Sequence, residues 1–245
     1  MAPKDAPAAP ASPATASKSK TPPTTSPIEI LDNPLSKAYT HIHTLSTLSI
    51  FTYTFPSLVA DPIATMAGSL LPLALFQGIY CAICLPGTTS NTSTKGKKKG
   101  TQELTIGFRI VPALLSLALT LTLGTPLLTL LLLLFGAPFT THQLHTLLCA
   151  AHIALLAAPQ LIYVHGVVAE KWLAIASLNV PVDEVFGASL GAAVGAWVGA
   201  VPIPLDWDRE WQKWPVTILA GAYAGWAVGR TVGGTVGRGM RVKLE

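Results

Sequence analysis

Long apolar runs alternate with short polar ones along this chain, and the lengths of the apolar runs set the first expectation. A helix crosses a bilayer core with about 20 residues. Windows of that kind fall at Tyr39–Ala60, Pro62–Leu85, Ile106–Phe135, Leu144–Val164, Val185–Pro202 and Trp214–Val232. Between Tyr39 and Thr94 the one charge is Asp61, and Ile110 to Ala169 holds none. The pattern predicts an all-α fold, a polytopic transmembrane bundle of about six helices. The third window is long enough to tilt or bend, and Gly124-Thr125-Pro126 marks the place, because proline removes a backbone donor.

The remaining segments follow from the same pattern. Residues 1–37, rich in Pro, Ala, Ser and Thr, bury too little to fold and are expected to be a disordered tail; they contain no apolar run of the kind a signal peptide uses. Residues 38–232 form the membrane domain, with a basic loop at 86–105 and a connection at 203–213. Residues 233–245 make a short basic tail. Composition agrees: 50% of the residues are apolar and 11% are charged, against about 25% charged in soluble domains.

Charge then orients the bundle. Six crossings put both termini on one side, together with the second-to-third and fourth-to-fifth connections. That side holds fourteen of the sixteen Lys and Arg residues, including Arg109, Lys171, Arg230 and the run KGKKKG, while Arg209 and Lys213 stand on the other. The excess of positive charge marks the cytosolic face, so both termini are expected in the cytosol and 203–213 in the lumen or outside. The KGKKKG run reads as the loop that sets this orientation, with binding of anionic lipid as the alternative.

Two features of the last two windows stand out. Gly187, Gly191, Gly195 and Gly199 recur at a spacing of four, and so do Gly221, Gly225 and Gly229, followed by Gly233 and Gly237. Strips of small residues let helices approach closely in lipid. The two ladders pack on each other as a hairpin, or one of them meets a helix of another protein; the spacing admits both. Between the ladders lies VPIPLDWDREWQKWP, where Asp206, Asp208, Arg209, Glu210 and Lys213 fall within eight positions and Trp207, Trp211 and Trp214 lie in the same stretch. Tryptophans around a turn suit a membrane interface or a protein contact.

Candidate chemistry is sparse. Cys81 and Cys84 form a lone CxxC inside an apolar segment and read as core residues. His142, His145 and His152 share a helical face but have no carboxylate nearby in sequence, so helix-end hydrogen bonding is the expected role. His41, His43 and His165 sit near membrane edges and read the same way. Asp183 and Glu184 open the fifth window, where a helix N-terminus favours negative charge. The carboxylates of the 203–213 connection could act as acid and base or hold a cation, yet the interleaved Arg209 and Lys213 neutralise them. No GxSxG, HExxH or phosphate-cradling glycine loop occurs, and no cofactor, metal site or catalytic set is expected.

The stretch PIPLDWDREWQKWP, together with GAYAGWAVG, DEVFG and FGAP, resembles the PIG-F family of glycosylphosphatidylinositol (GPI) anchor biosynthesis, particularly its fungal members. The resemblance is strong over residues 135–229 and only hydropathic before them. It implies a small multi-pass protein of the endoplasmic reticulum membrane that is not itself an enzyme. Such a protein stabilises ethanolamine-phosphate transferase subunits, which add phosphoethanolamine to mannoses of the GPI precursor on the lumenal face. The alternative is a lipid-binding subunit that presents phosphatidylethanolamine or the GPI precursor to the transferase. On either reading Asp206, Trp207, Asp208, Arg209, Trp211 and Trp214 form the partner- or lipid-binding set. Arg209 and Lys213 would meet phosphate, and Asp206 or Asp208 the ammonium.

The orientation carries a direct test. The sequon Asn91-Thr92-Ser93 lies in the basic loop, on the cytosolic side and out of reach of the glycosylating enzyme. Glycosidase treatment of the native protein should therefore leave its gel mobility unchanged, and a glycan on Asn91 would invert the topology.

Overall fold

The computed structural model describes residues 26–87, 107–205 and 207–241. The basic run KGKKKG, Asn91, Asp206 and the first 25 residues lie outside the described residues. Among those described, helices α1 (Pro34–Ala60), α2 (Pro62–Cys84), α3 (Gly107–Leu119), α4 (Thr125–Leu134), α5 (Gln143–His165), α6 (Ala169–Ala176), α7 (Glu184–Ala200) and α8 (Val216–Gly234) follow one another without a strand. α3 and α4 are halves of one rod, so six rods occupy the six apolar windows. Among the described residues three helices are long and apolar enough to cross a membrane: Pro62–Cys84, Phe108–Leu134 and Gln143–His165. α7 is apolar but shorter, at 17 residues, whereas α1 and α8 have the length and carry more hydroxyls or glycines.

Local chemistry explains the boundaries. Asn33 caps α1 by accepting from Ser36 N at 2.7 Å, and Pro34 stands at the first turn, where its missing donor costs nothing. α1 therefore begins several residues before the apolar window. The preceding residues 26–33, expected within a disordered tail, instead run extended along the bundle: Leu31 N donates to Cys84 O at 2.9 Å and Ile28 N to Asp183 Oδ2 at 2.9 Å. Asp61 alone separates α1 from α2, closing the first with its N–H and capping the second with its carboxylate. The third rod changes winding at Thr120–Gly124, where a π-turn accommodates Pro126, which would otherwise collide with the carbonyl one turn back. Of the helices α1 to α8, α6 falls outside every window; it is a short helix in the connection between α5 and α7.

α5 runs through the centre of the bundle and is buried over most of its length, while α3 and α4 lie at the periphery with Leu114, Leu123, Leu127 and Leu134 facing outward. Those exposed leucines would be a liability in water and are the expected surface in lipid. α7 packs on α5 through Ser189, whose hydroxyl donates to Ala157 O at 2.6 Å. His152 of α5, expected to bond at a helix end, sits in the middle of the core. Its Nε2 meets the Met66 carbonyl at 3.0 Å and its Nδ1 meets the Tyr223 hydroxyl at 2.9 Å. A carbonyl only accepts, so Nε2 carries the proton and Tyr223 donates to Nδ1.

α7 and α8 meet backbone to backbone. A Cβ placed on Gly195 would overlap the Gly221 carbonyl oxygen and stand 2.8 Å from the Gly225 Cα. The same holds for Gly191 against Gly225 and Gly229, and for Gly187 against Gly229 and Gly233; Gly199 meets Thr217 and Ile218 instead. Each ladder is the floor on which the other rests, so even one methyl must push the backbones apart. Gly195→Ala is expected to lower the melting temperature and yield of the detergent-purified protein, and Gly195→Leu to abolish the folded peak on size exclusion. Gly68→Ala, where a Cβ meets nothing within 4 Å, should leave both unchanged, and equal losses in the two alanine variants would show that backbone contact is not the reason.

Candidate functional site

The α7–α8 hairpin has a polar feature at each end, and the tip comes first. Val201 to Pro215 connects the two helices through successive turns and a short 3-10 turn, Glu210–Gln212. Gln212 holds this connection together: its Nε2 donates to the carbonyls of Pro202 and Leu205, each at 2.8 Å, and its Oε1 accepts from Arg209 N at 3.0 Å. Asp208 takes a left-handed φ of 48°, a conformation that Asp tolerates better than most residues. The result points Trp207, Asp208, Arg209 and Trp211 outward, with the two indoles 5.8 Å apart. Lys213 pairs with Glu210, so two of the tip's charges neutralise each other.

The predicted set is therefore divided. Trp207, Asp208, Arg209 and Trp211 share the exposed tip, whereas Trp214 turns inward and packs against the core with Val216 and Leu219. Asp206 lies outside the described residues. Gln212, which fixes the tip, drew no attention in the sequence because a single glutamine among charges and tryptophans carries no periodic signal.

The second feature lies at the opposite end of the hairpin, where both described terminal segments converge. Arg230, placed by the charge count beside a basic tail, is instead 2% exposed inside the bundle. Its Nη2 stands 2.6 Å from Glu184 Oε1 at the start of α7. Tyr80 of α2 donates its hydroxyl to the same carboxylate oxygen at 3.1 Å, and the guanidinium lies over the Tyr80 ring at 3.9 Å. Arg230 Nη1 is 3.2 Å from His43 Nδ1 of α1, and the His43 ring stacks on Tyr80 at 4.7 Å and meets Trp226 edge-on. A guanidinium can only donate, so Nδ1 of His43 accepts and its proton sits on Nε2. Four helices are joined through one buried ion pair. Glu184, expected only to favour the helix dipole, is the counter-ion.

Asp183 supports this arrangement from outside. One carboxylate oxygen caps α7 at Val185 N and Phe186 N, at 3.0 and 2.8 Å, and the other holds Ile28 N. Val182 exchanges backbone hydrogen bonds with Met240 and Gly239, and Arg238 reaches Glu29 at 3.1 Å. Both ends of the described chain are thus fastened over the ion pair. Among the described residues no three His, Cys, Asp or Glu side chains come together as metal ligands. His142 and His145 lie edge to face at 5.0 Å, apart from the buried His152.

Comparison with known proteins places the chain among homologues. The family model described as "GPI biosynthesis protein family Pig-F" matches residues 42–234. A protein of Aspergillus fumigatus called glycosylphosphatidylinositol anchor biosynthesis protein 11 is 43% identical over 246 residues, covering 86% of this chain and 83% of the relative. Proteins of the same name match from Neurospora crassa, at 43% identity over 86% of this chain and 79% of the relative, and from Pyricularia oryzae, at 44% over 77% and 73%. No solved structure matches the chain.

The ion pair makes a graded prediction. Removing one member of a buried pair strands the other charge, at a cost of about 3–5 kcal/mol, whereas replacing both by apolar groups costs much less. Glu184→Leu alone should lower thermal stability in detergent sharply, and Glu184→Leu combined with Arg230→Met should recover most of the loss. A double variant no better than the single one would rule out a role for Glu184 as the counter-ion.

Proposed function

We propose, from the premise that this chain belongs to the GPI biosynthesis protein family Pig-F, that it is a non-catalytic membrane subunit that binds and stabilises the ethanolamine-phosphate transferases of GPI-anchor assembly. The observation that carries this reading is the tip of the α7–α8 hairpin, where Trp207, Asp208, Arg209 and Trp211 are exposed on a connection fixed by Gln212. Trp and Arg are the usual anchors of protein interfaces, because a large ring or a planar guanidinium gains much contact for little lost freedom. Here Gln212 holds the backbone at Pro202, Leu205 and Arg209, which lowers the entropic cost of docking. The surrounding frame is a membrane bundle, in keeping with a subunit of the endoplasmic reticulum membrane whose termini face the cytosol and whose tip faces the lumen.

The second reading is that the same tip presents phosphatidylethanolamine or the GPI precursor to the transferase. Arg209 is its supporting residue, since it is exposed and free of the Lys213–Glu210 pair. The helix-packing glycines serve both readings, because Gly187, Gly191, Gly195, Gly199, Gly221, Gly225 and Gly229 hold the hairpin that displays the tip.

Affinity purification in mild detergent separates the two. Trp207→Ala and Arg209→Ala are expected to reduce the co-purifying transferase several-fold while the subunit itself remains folded. Full co-purification with reduced phosphoethanolamine transfer would favour lipid presentation, and wild-type levels of both assembly and transfer would remove the tip from either role.

A further inference from the structure

A cleft opens between α1 and α2, away from both ends of the hairpin. Thr47, Phe51 and Thr54 form one wall, Ser69 and Phe76 the other, and Tyr223 of α8 closes the floor. Phe51 lies flat against Tyr223, with ring centroids 4.1 Å apart and planes inclined by 16°. The hydroxyl of Tyr223 is engaged by His152, so the floor, where Phe51 lies on the Tyr223 ring, offers no free polar group.

The wall hydroxyls are engaged in the same way. Thr54 donates to the carbonyls of Ile50 and Phe51, and Ser69 to those of Thr65 and Met66, within their own helices. Their protons are not offered to the cleft, and its lining is predominantly apolar. Thr47 also lines it: the residue is 3% exposed and its buried Oγ1 has no partner among the described residues.

The position narrows what can enter. α2 is one of the helices apolar enough to span a membrane, and Tyr53, Leu71 and Leu75, each next in sequence to a lining residue, are exposed, so the medium around the cleft is hydrocarbon. The two walls belong to consecutive helices separated by Asp61 alone, which holds them too close to admit a third helix of about 10 Å diameter. From Thr47 to Thr54 the cleft follows α1 for about two turns, or roughly 10 Å. It is predominantly apolar and runs along α1.

We propose that this cleft seats one acyl chain of a membrane phospholipid, drawn from the leaflet that meets the Asp61 turn, with the chain end reaching Thr47. The site is separate from the exposed tip and independent of how the tip is used. A bound chain fills the seam between α1 and α2 and rests on Tyr223, so it also steadies α8 against the first hairpin.

The full-length protein in nanodiscs of phosphatidylcholine, doped with phosphatidylcholine carrying a diazirine midway along one acyl chain, tests the site. After illumination, peptide mapping should find label concentrated on Phe51, Thr54, Ser69 and Phe76, several-fold above the lipid-facing leucines of α3 and α4. Ser69→Phe fills the cleft and should remove that label while labelling of α3 and α4 stays unchanged, which also reports that the variant is folded. Thr47→Val should keep or raise the signal, since the occupant is hydrocarbon. Even labelling of all exposed helix faces, an unaffected Ser69→Phe variant, or loss of signal in Thr47→Val would each overturn the proposal. So would a dimer band from a photoreactive residue at position 50, because it would put a second copy of the chain in the cleft.

Discussion

Backbone contact between α7 and α8 is the constraint on which the rest of this molecule depends. Inside a bilayer, apolar side chains gain nothing by leaving lipid for protein, so helices associate through close packing and polar links. Glycines facing glycines bring the two axes as near as helices can come, and they do so from Gly187 and Gly233 at one end to Gly199 at the other. Such a contact fixes rotation as well as distance. With the glycine faces turned inward, Ala188, Ala192 and Ala196 are directed to the core, and Val194, Trp197 and Val198 are left facing outward.

The buried ion pair follows from that geometry. Arg230 comes directly after Gly229, and Glu184 stands three residues before Gly187, so the register set by the ladders brings guanidinium and carboxylate together at the end of the hairpin. An arginine in an apolar helix is costly without a counter-charge. Tyr80 and His43 complete the neutralising shell from α2 and α1, and through them the first pair of helices is bound to the last. The Gln160–Gln77 hydrogen bond, 2.8 Å in the core, links α5 to α2 in the same manner. Several polar side chains in the core thus tie together helices that are distant in sequence.

This division decides what could be read from the chain alone. Hydropathy windows locate helices because lipid imposes a length, and all six rods appear where the apolar runs lie. The spacing of four in Gly187–Gly199 and Gly221–Gly229 made a close contact legible, although spacing alone left the partner of each ladder open. The ion pair was not legible. Its members lie 46 positions apart from Glu184 to Arg230 and further still to Tyr80 and His43, and each had an adequate local explanation as a helix-end or topogenic charge. Trp214 shows the same limit: three tryptophans in one short stretch look alike, and packing sets Trp214 against the core while Trp207 and Trp211 stay exposed.

The same turn bears on how the proposed docking tip works. An exposed loop ordinarily loses much of its freedom when it binds, and that loss subtracts from affinity. Here the helices on both sides are locked by their glycines, and Gln212 spans the connection with three hydrogen bonds to its backbone. Those bonds fix the backbone at Pro202, Leu205 and Arg209. On the docking proposal the ladders would contribute to binding by holding the tip in one shape, and a substitution deep in the hairpin would act on docking through the loop it supports.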